Sequence, residues 1–144
     1  MSLTAAIEVS TDRIDARALG VKLRITNPAD RRIAILNPDM GVPSPALNWP
    51  YSKEVYQTCL LISFGYLSMS VTEEAGEELP REAIMTSAVP ALRPPLELGP
   101  GDSFEIAIPL GDFYRLMSGT AYWVALTYGD RSLKVSSRTR VIVP

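Results

Sequence analysis

The chain is patterned in twos. In "ALGVKLRITN", residues 18–27, Leu19, Val21, Leu23 and Ile25 fall on one side of an extended backbone and Lys22, Arg24 and Thr26 on the other, because successive side chains of a strand point to opposite faces. "FEIAI" repeats the alternation, with Phe104, Ile106 and Ile108 against Glu105 and Ala107, and "AAIEVS" sets Ile7 and Val9 inward. "YLSMSVT" alternates Leu67, Met69 and Val71 with Ser68, Ser70 and Thr72. "RRIAIL" follows Asn27-Pro28-Ala29-Asp30, a turn cluster short enough to join two antiparallel strands. "AYWVALTYG" is apolar on both faces, as a central strand covered on each side would be, and "SLKV" and "TRVIV" close the chain. The 9 glycines and 12 prolines are scattered, and no window of a dozen residues sustains a 3.6-residue period, so helix is expected at most as one turn over 111–117. The pattern predicts an all-β fold: an antiparallel two-sheet sandwich of about seven to eight strands.

At 144 residues the chain has the length of one domain with one core, so a single domain is expected over 1–144. Its 47% hydrophobic and 21% charged residues are those of a chain that folds alone. A formal net charge of -2 leaves no positive excess to neutralise phosphates, which argues against nucleic acid as partner. The most apolar run, Cys59 to Val71, is interrupted by Ser63, Gly65, Ser68 and Ser70, so no membrane insertion is expected. The first residues lack the basic and apolar regions of a secretory signal, and a lone cysteine, Cys59, forms no internal disulfide; both point to the cytoplasm.

Histidine is absent, which removes Ser-His and Cys-His nucleophile pairs, the HExxH zinc site and histidine acid-base catalysis. One cysteine also excludes cysteine-built zinc and iron-sulfur sites, and Cys59 among the apolar residues of "QTCLLI" reads as a buried structural thiol. Glu73, Glu74, Glu77 and Glu78 lack the spacing that wraps calcium and read as a solvated loop tip. Asp102, Asp112 and Asp130 each flank glycine in a turn. The expectation is therefore a protein that is not an enzyme and takes no metal and no cofactor.

Leu-Gly-Pro-Gly-Asp, residues 98–102, has Pro100 to fix one φ and Gly101 to supply a positive one, as a type II turn demands. A phosphate-cradling loop would open onto a helix, whereas a strand pattern follows here. In "LMSGTAYWV", Gly119 precedes by three residues a tyrosine, Tyr122, that begins a central strand. This resembles the tyrosine corner of immunoglobulin-like and fibronectin-like sandwiches, which implies a buried Tyr122 ring with its hydroxyl bonded to the preceding loop. That family's cysteine two positions on is Val124 here, so the inter-sheet disulfide is missing. Residues 96–128 also resemble sandwich domains that accompany bacterial deuterolysin-type metallopeptidases. Thr26-Asn27-Pro28 is similar to a tripeptide of small intracellular proteinase inhibitors. These are motifs of strand and turn, and they carry no catalytic residue onto this chain.

One segment goes unexplained by the sandwich. "NPDMGVPSPALNWPYSKEVYQ", residues 37–57, interleaves Pro38, Pro43, Pro45 and Pro50 with Met40, Trp49, Tyr51 and Tyr56. It is long for a connection between strands, stiffened by proline and supplied with aromatics. Two readings stand: a loop folded over the sandwich edge with Trp49 capping the core, or a preorganised recognition loop in which Met40, Trp49, Tyr51 and Tyr56 bind. The second implies a protein partner, with carbohydrate stacking and proteinase inhibition as alternatives.

Overall fold

A computed structural model describes residues 3–9, 19–84, 93–130 and 133–144. Ser10, Ala18 and Ser132, at the ends of predicted strands, lie outside them. Strands dominate, in three antiparallel sheets with few helices. β1 (Thr4–Val9), β2 (Val21–Thr26) and β6 (Ser103–Ile108) form one sheet in the order β1-β2-β6. β3 (Ile33–Ile35) pairs with β5 (Leu96–Leu98), and β4 (Leu67–Glu73), β7 (Ala121–Gly129) and β8 (Lys134–Ile142) form the third in the order β4-β7-β8.

The alternation sets what each sheet buries. Val21, Leu23 and Ile25 of β2, Ile106 and Ile108 of β6, and Val124, Leu126 and Tyr128 of β7 all enter one core. β7 is central in its sheet, as expected, but only one of its faces is buried; Trp123, Ala125 and Thr127 are half-buried on the other. Lys134 and Val135 of "SLKV" and Thr139 to Ile142 of "TRVIV" prove to belong to one continuous strand, β8. β5 was not predicted, being three residues long with little room for a period.

The turn at 27–30 is not a hairpin. β2 pairs with β1 and β6, whereas β3 pairs with β5, so the chain changes sheets there, and its neighbour does the same at 99–102. This double corner is held by Asn27, which is fully buried. Its Nδ2 donates to the carbonyls of Arg31 (2.8 Å), Leu98 (2.9 Å) and Gly99 (3.1 Å), and its Oδ1 accepts from Ala29 N (3.0 Å). Its backbone joins the other strand too, through Asn27 N to Asp102 O at 2.9 Å and Gly101 N to Asn27 O at 2.8 Å. Gly101 takes the positive φ of 77° that the turn requires. The Gly-Pro-Gly-Asp loop thus spends its donors inside the fold: Gly99 N is held by the Asp102 carboxylate at 2.8 Å.

The expectation of no helix beyond one turn is corrected by α1 (Lys53–Ser63), which lies against β4 and β6. Ser52 caps it, its Oγ accepting from Val55 N at 3.2 Å, and Glu54 sits in the first turn where the helix dipole favours negative charge. At the other end Gly65, with φ of 78°, closes a Schellman turn in which Tyr66 N reaches Leu61 O at 2.9 Å. Val55, Tyr56, Thr58, Cys59, Leu60 and Leu61 are all buried. Burial around so much of its circumference erases the one-sided stripe by which a surface helix is recognised. The predicted turn over 111–117 appears as α2 (Leu110–Phe113). Tyr122 is buried, and its hydroxyl accepts from Met117 N at 3.1 Å, the bond that a tyrosine corner implies. Among the described residues no helix is long and apolar enough to cross a membrane.

Candidate functional site

The segment after β3 is tied down along its length. Asp39 N bonds to Asn37 Oδ1 at 3.0 Å and Gly41 N to Asp39 Oδ1 at 2.9 Å, local Asx bonds that replace a strand ladder. Gln57 of α1 holds Gly41 O at 3.2 Å, and Ser44 caps a 3-10 turn over Pro45–Leu47 that ends on left-handed Asn48. The expected loop over 37–57 therefore ends at Ser52, and its last five residues belong to α1.

The four proposed binding residues separate. Met40 and Tyr56 are buried in the core. Trp49 is half-buried and packed against that core, while Tyr51 stands 46% exposed. The three rings make a chain from core to surface: Trp49 meets Tyr56 at 5.4 Å and 82°, and Tyr51 at 5.4 Å and 65°. Edge-to-face packing of this kind is favourable because a ring's positive edge meets its neighbour's negative face. Trp49 Nε1 donates to Ser52 O at 2.9 Å, the same carbonyl that accepts from Tyr56 N at 3.1 Å. Tyr51 is thus backed by a ring that is itself fixed to the helix and the core.

Tyr51 lines a cleft of about 720 Å³ together with Glu82, Gly111, Asp112, Tyr114 and Arg115. Sequence reasoning missed all of these partners, which come from two segments remote in the chain and had no motif to unite them. Glu82 N bonds to Phe113 O at 2.8 Å, fixing one wall against α2. Arg115 Nε meets Glu82 Oε1 at 3.2 Å with its side chain almost wholly exposed. Tyr114 is buried, with its hydroxyl on Met69 O at 3.4 Å; burial pushes its phenol above the ordinary range, and Glu78 adds to this against the opposing Arg81. The cleft is lined by side chains of both charge signs, Leu116 and two tyrosines, of which Tyr51 is exposed.

Other candidates resolve as structure. Cys59 is buried in α1, and loss of solvation raises its thiol pKa against the opposing pull of Arg81, the reverse of what a nucleophile needs. The acidic tip is a hairpin turn in which Gly76 N bonds to Glu73 O at 2.8 Å and Glu74 pairs with Arg140; that hydrogen bond holds the Glu74 carboxyl below its usual range. Among the described residues no group of three or more His, Cys, Asp or Glu side chains is placed to hold a metal ion. No protein-family model and no curated protein matches the chain.

Proposed function

We propose that this chain is an immunoglobulin-like β-sandwich acting as a non-enzymatic module that recognises a protein partner, with Tyr51 as the anchor. The observation that carries this reading is the pairing of an exposed Tyr51 ring with a concave cleft beside it. Binding energy concentrates in a few aromatic or arginine anchors next to pockets, ringed by groups that contribute little. A side chain already held in place loses less entropy on binding, and Trp49 holds Tyr51. The absence of histidine supports a non-catalytic role, and the lone buried Cys59 suits a reducing compartment such as the cytoplasm.

The carbohydrate alternative built on these rings is weaker. A stacking platform needs exposed rings in a common plane, whereas these stand at 65° and 82° and Tyr56 is buried. The test is affinity capture from the native lysate with the wild-type chain, Tyr51→Ala and Phe64→Ala, a control on another exposed ring. Tyr51→Ala should weaken capture of a specific protein by about thirtyfold, the hot-spot scale, with Phe64→Ala unaffected. Equal capture by all three would reject the assignment of the anchor.

A further inference from the structure

The outer faces of the two three-stranded sheets differ in charge balance. On β1-β2-β6, Glu8 stands opposite Lys22 and Arg24 opposite Glu105, with Arg24 Nη2 on Glu105 Oε1 at 3.0 Å. Each cation there faces a carboxylate. On β4-β7-β8 the register lays out a different grid: Thr72, Trp123 and Arg140 in one row, Ser70, Ala125 and Arg138 in the next, then Ser68, Thr127 and Ser136. None of these nine positions carries a carboxylate. Lys134 continues the same side of β8. Arg140 is neutralised by Glu74 at the margin, but Arg138 has no carboxylate partner among the described residues. It lies instead over the Trp123 ring, its guanidinium carbon 4.1 Å from the ring centroid.

We propose that this face binds a uronate-bearing polysaccharide, with Arg138 as the carboxylate receptor. Arg138 is exposed, and with the Trp123 ring beneath its guanidinium it offers the forked N–H donors that pair bidentately with a carboxylate. Around it the hydroxyls of Ser70, Thr72 and Ser68 repeat along β4 at about 6.7 Å, the two-residue strand spacing, and offer donors and acceptors to sugar hydroxyls. A protein partner fits this face less well, since protein interfaces are depleted in serine and the nine positions hold three serines and two threonines against Trp123 and Ala125, with apolar Ala121 and Ile142 at the margin. A nucleic-acid strand would need more cations than Lys134 and Arg138 supply on a chain of net charge -2. The proposal concerns a surface separate from the Tyr51 cleft and stands independently of it.

The test is calorimetric titration with a galacturonic acid tetramer, a neutral glucose tetramer and polyglutamate, at low and at physiological salt. The galacturonate should bind at least tenfold more tightly than the other two. Arg138→Gln should weaken it at least tenfold, Trp123→Phe, which keeps a ring under the guanidinium, by less than threefold, and Tyr51→Ala not at all. Absence of galacturonate binding at millimolar concentration would overturn the proposal. So would equal binding of polyglutamate, which would assign the face to acidic peptide, or undiminished binding by a folded Arg138→Gln.

Discussion

The corner at 27–32 and 98–102 and the segment at 37–52 share one trait in sequence: both are rich in proline or glycine and join regular elements. They differ in where their bonding groups point. At the corner, Asn27 directs its side chain and backbone into the fold and Asp102 holds Gly99, so the loops join two sheets and present little to a ligand. In the segment the polar groups are likewise consumed locally, by Asx bonds and the Gln57 clamp, but the rings run outward from buried Tyr56 through Trp49 to exposed Tyr51. Satisfied polar groups mark architecture. An exposed ring rigidly backed from the core marks a surface that can bind without first being ordered.

The most severe way to break this contrast is at Asn27. Asn27→Ala leaves buried carbonyls of Leu98 and Gly99 without their donor and should cost about 3 to 5 kcal/mol, measured by denaturant titration. A cost under about 1 kcal/mol would mean that water or relaxation replaces the staple. Trp49 stands at the boundary between the two roles. Trp49→Ala should destabilise by about 2 to 3 kcal/mol, less than a fully buried tryptophan, because the ring is only half-buried.

Tyr128 sharpens the comparison at the segment's entry, where its hydroxyl donates to Leu36 O at 2.9 Å. Tyr128→Phe should cost about 1 kcal/mol at neutral pH. Burial raises the Tyr128 pKa well above its ordinary 10.0, with Tyr66 and Asp130 adding to the shift. The neutral phenol is therefore the form that the fold favours: its contribution is complete below pH 10 and fades as the pH climbs from the unfolded value toward the folded one. Stability against pH should bend downward above about pH 10, and Tyr128→Phe should flatten that bend. The smallest expected effect is Tyr51→Ala, about 0.5 kcal/mol in stability, the low end of what its edge contact with Trp49 contributes at a largely exposed site.

Much of the strand content was legible, because alternation in "VKLRIT", "LSMSVTE" and "SFEIAI" states both the element and its buried face. Pairing was not: nothing in Asn27-Pro28-Ala29-Asp30 distinguishes a hairpin from a change of sheets, and only the partners of β3 decide it. α1 was hidden because residues 55, 56 and 58–61 are buried on many sides, leaving only a narrow polar edge at Lys53 and Gln57 to mark the period; Ser52 and Gly65 were its signals. Of the proposed binding residues, aromatic identity alone could not separate Tyr51 from Tyr56, because that separation depends on the helix that carries Tyr56 inward. Trp123 passed unremarked inside an apolar run, since its outward direction and its Arg138 neighbour follow from register.

The most direct test of the contrast is photo-crosslinking in the native cell with p-benzoylphenylalanine replacing Tyr51, the corner residue Asp102 or Phe64, each on a folded chain verified by its melting curve. The account predicts a discrete protein adduct from position 51, competed away by excess wild-type chain and not by Tyr51→Ala, and no such adduct from positions 102 and 64. The same adduct from position 102 or 64, or none from position 51, would contradict it.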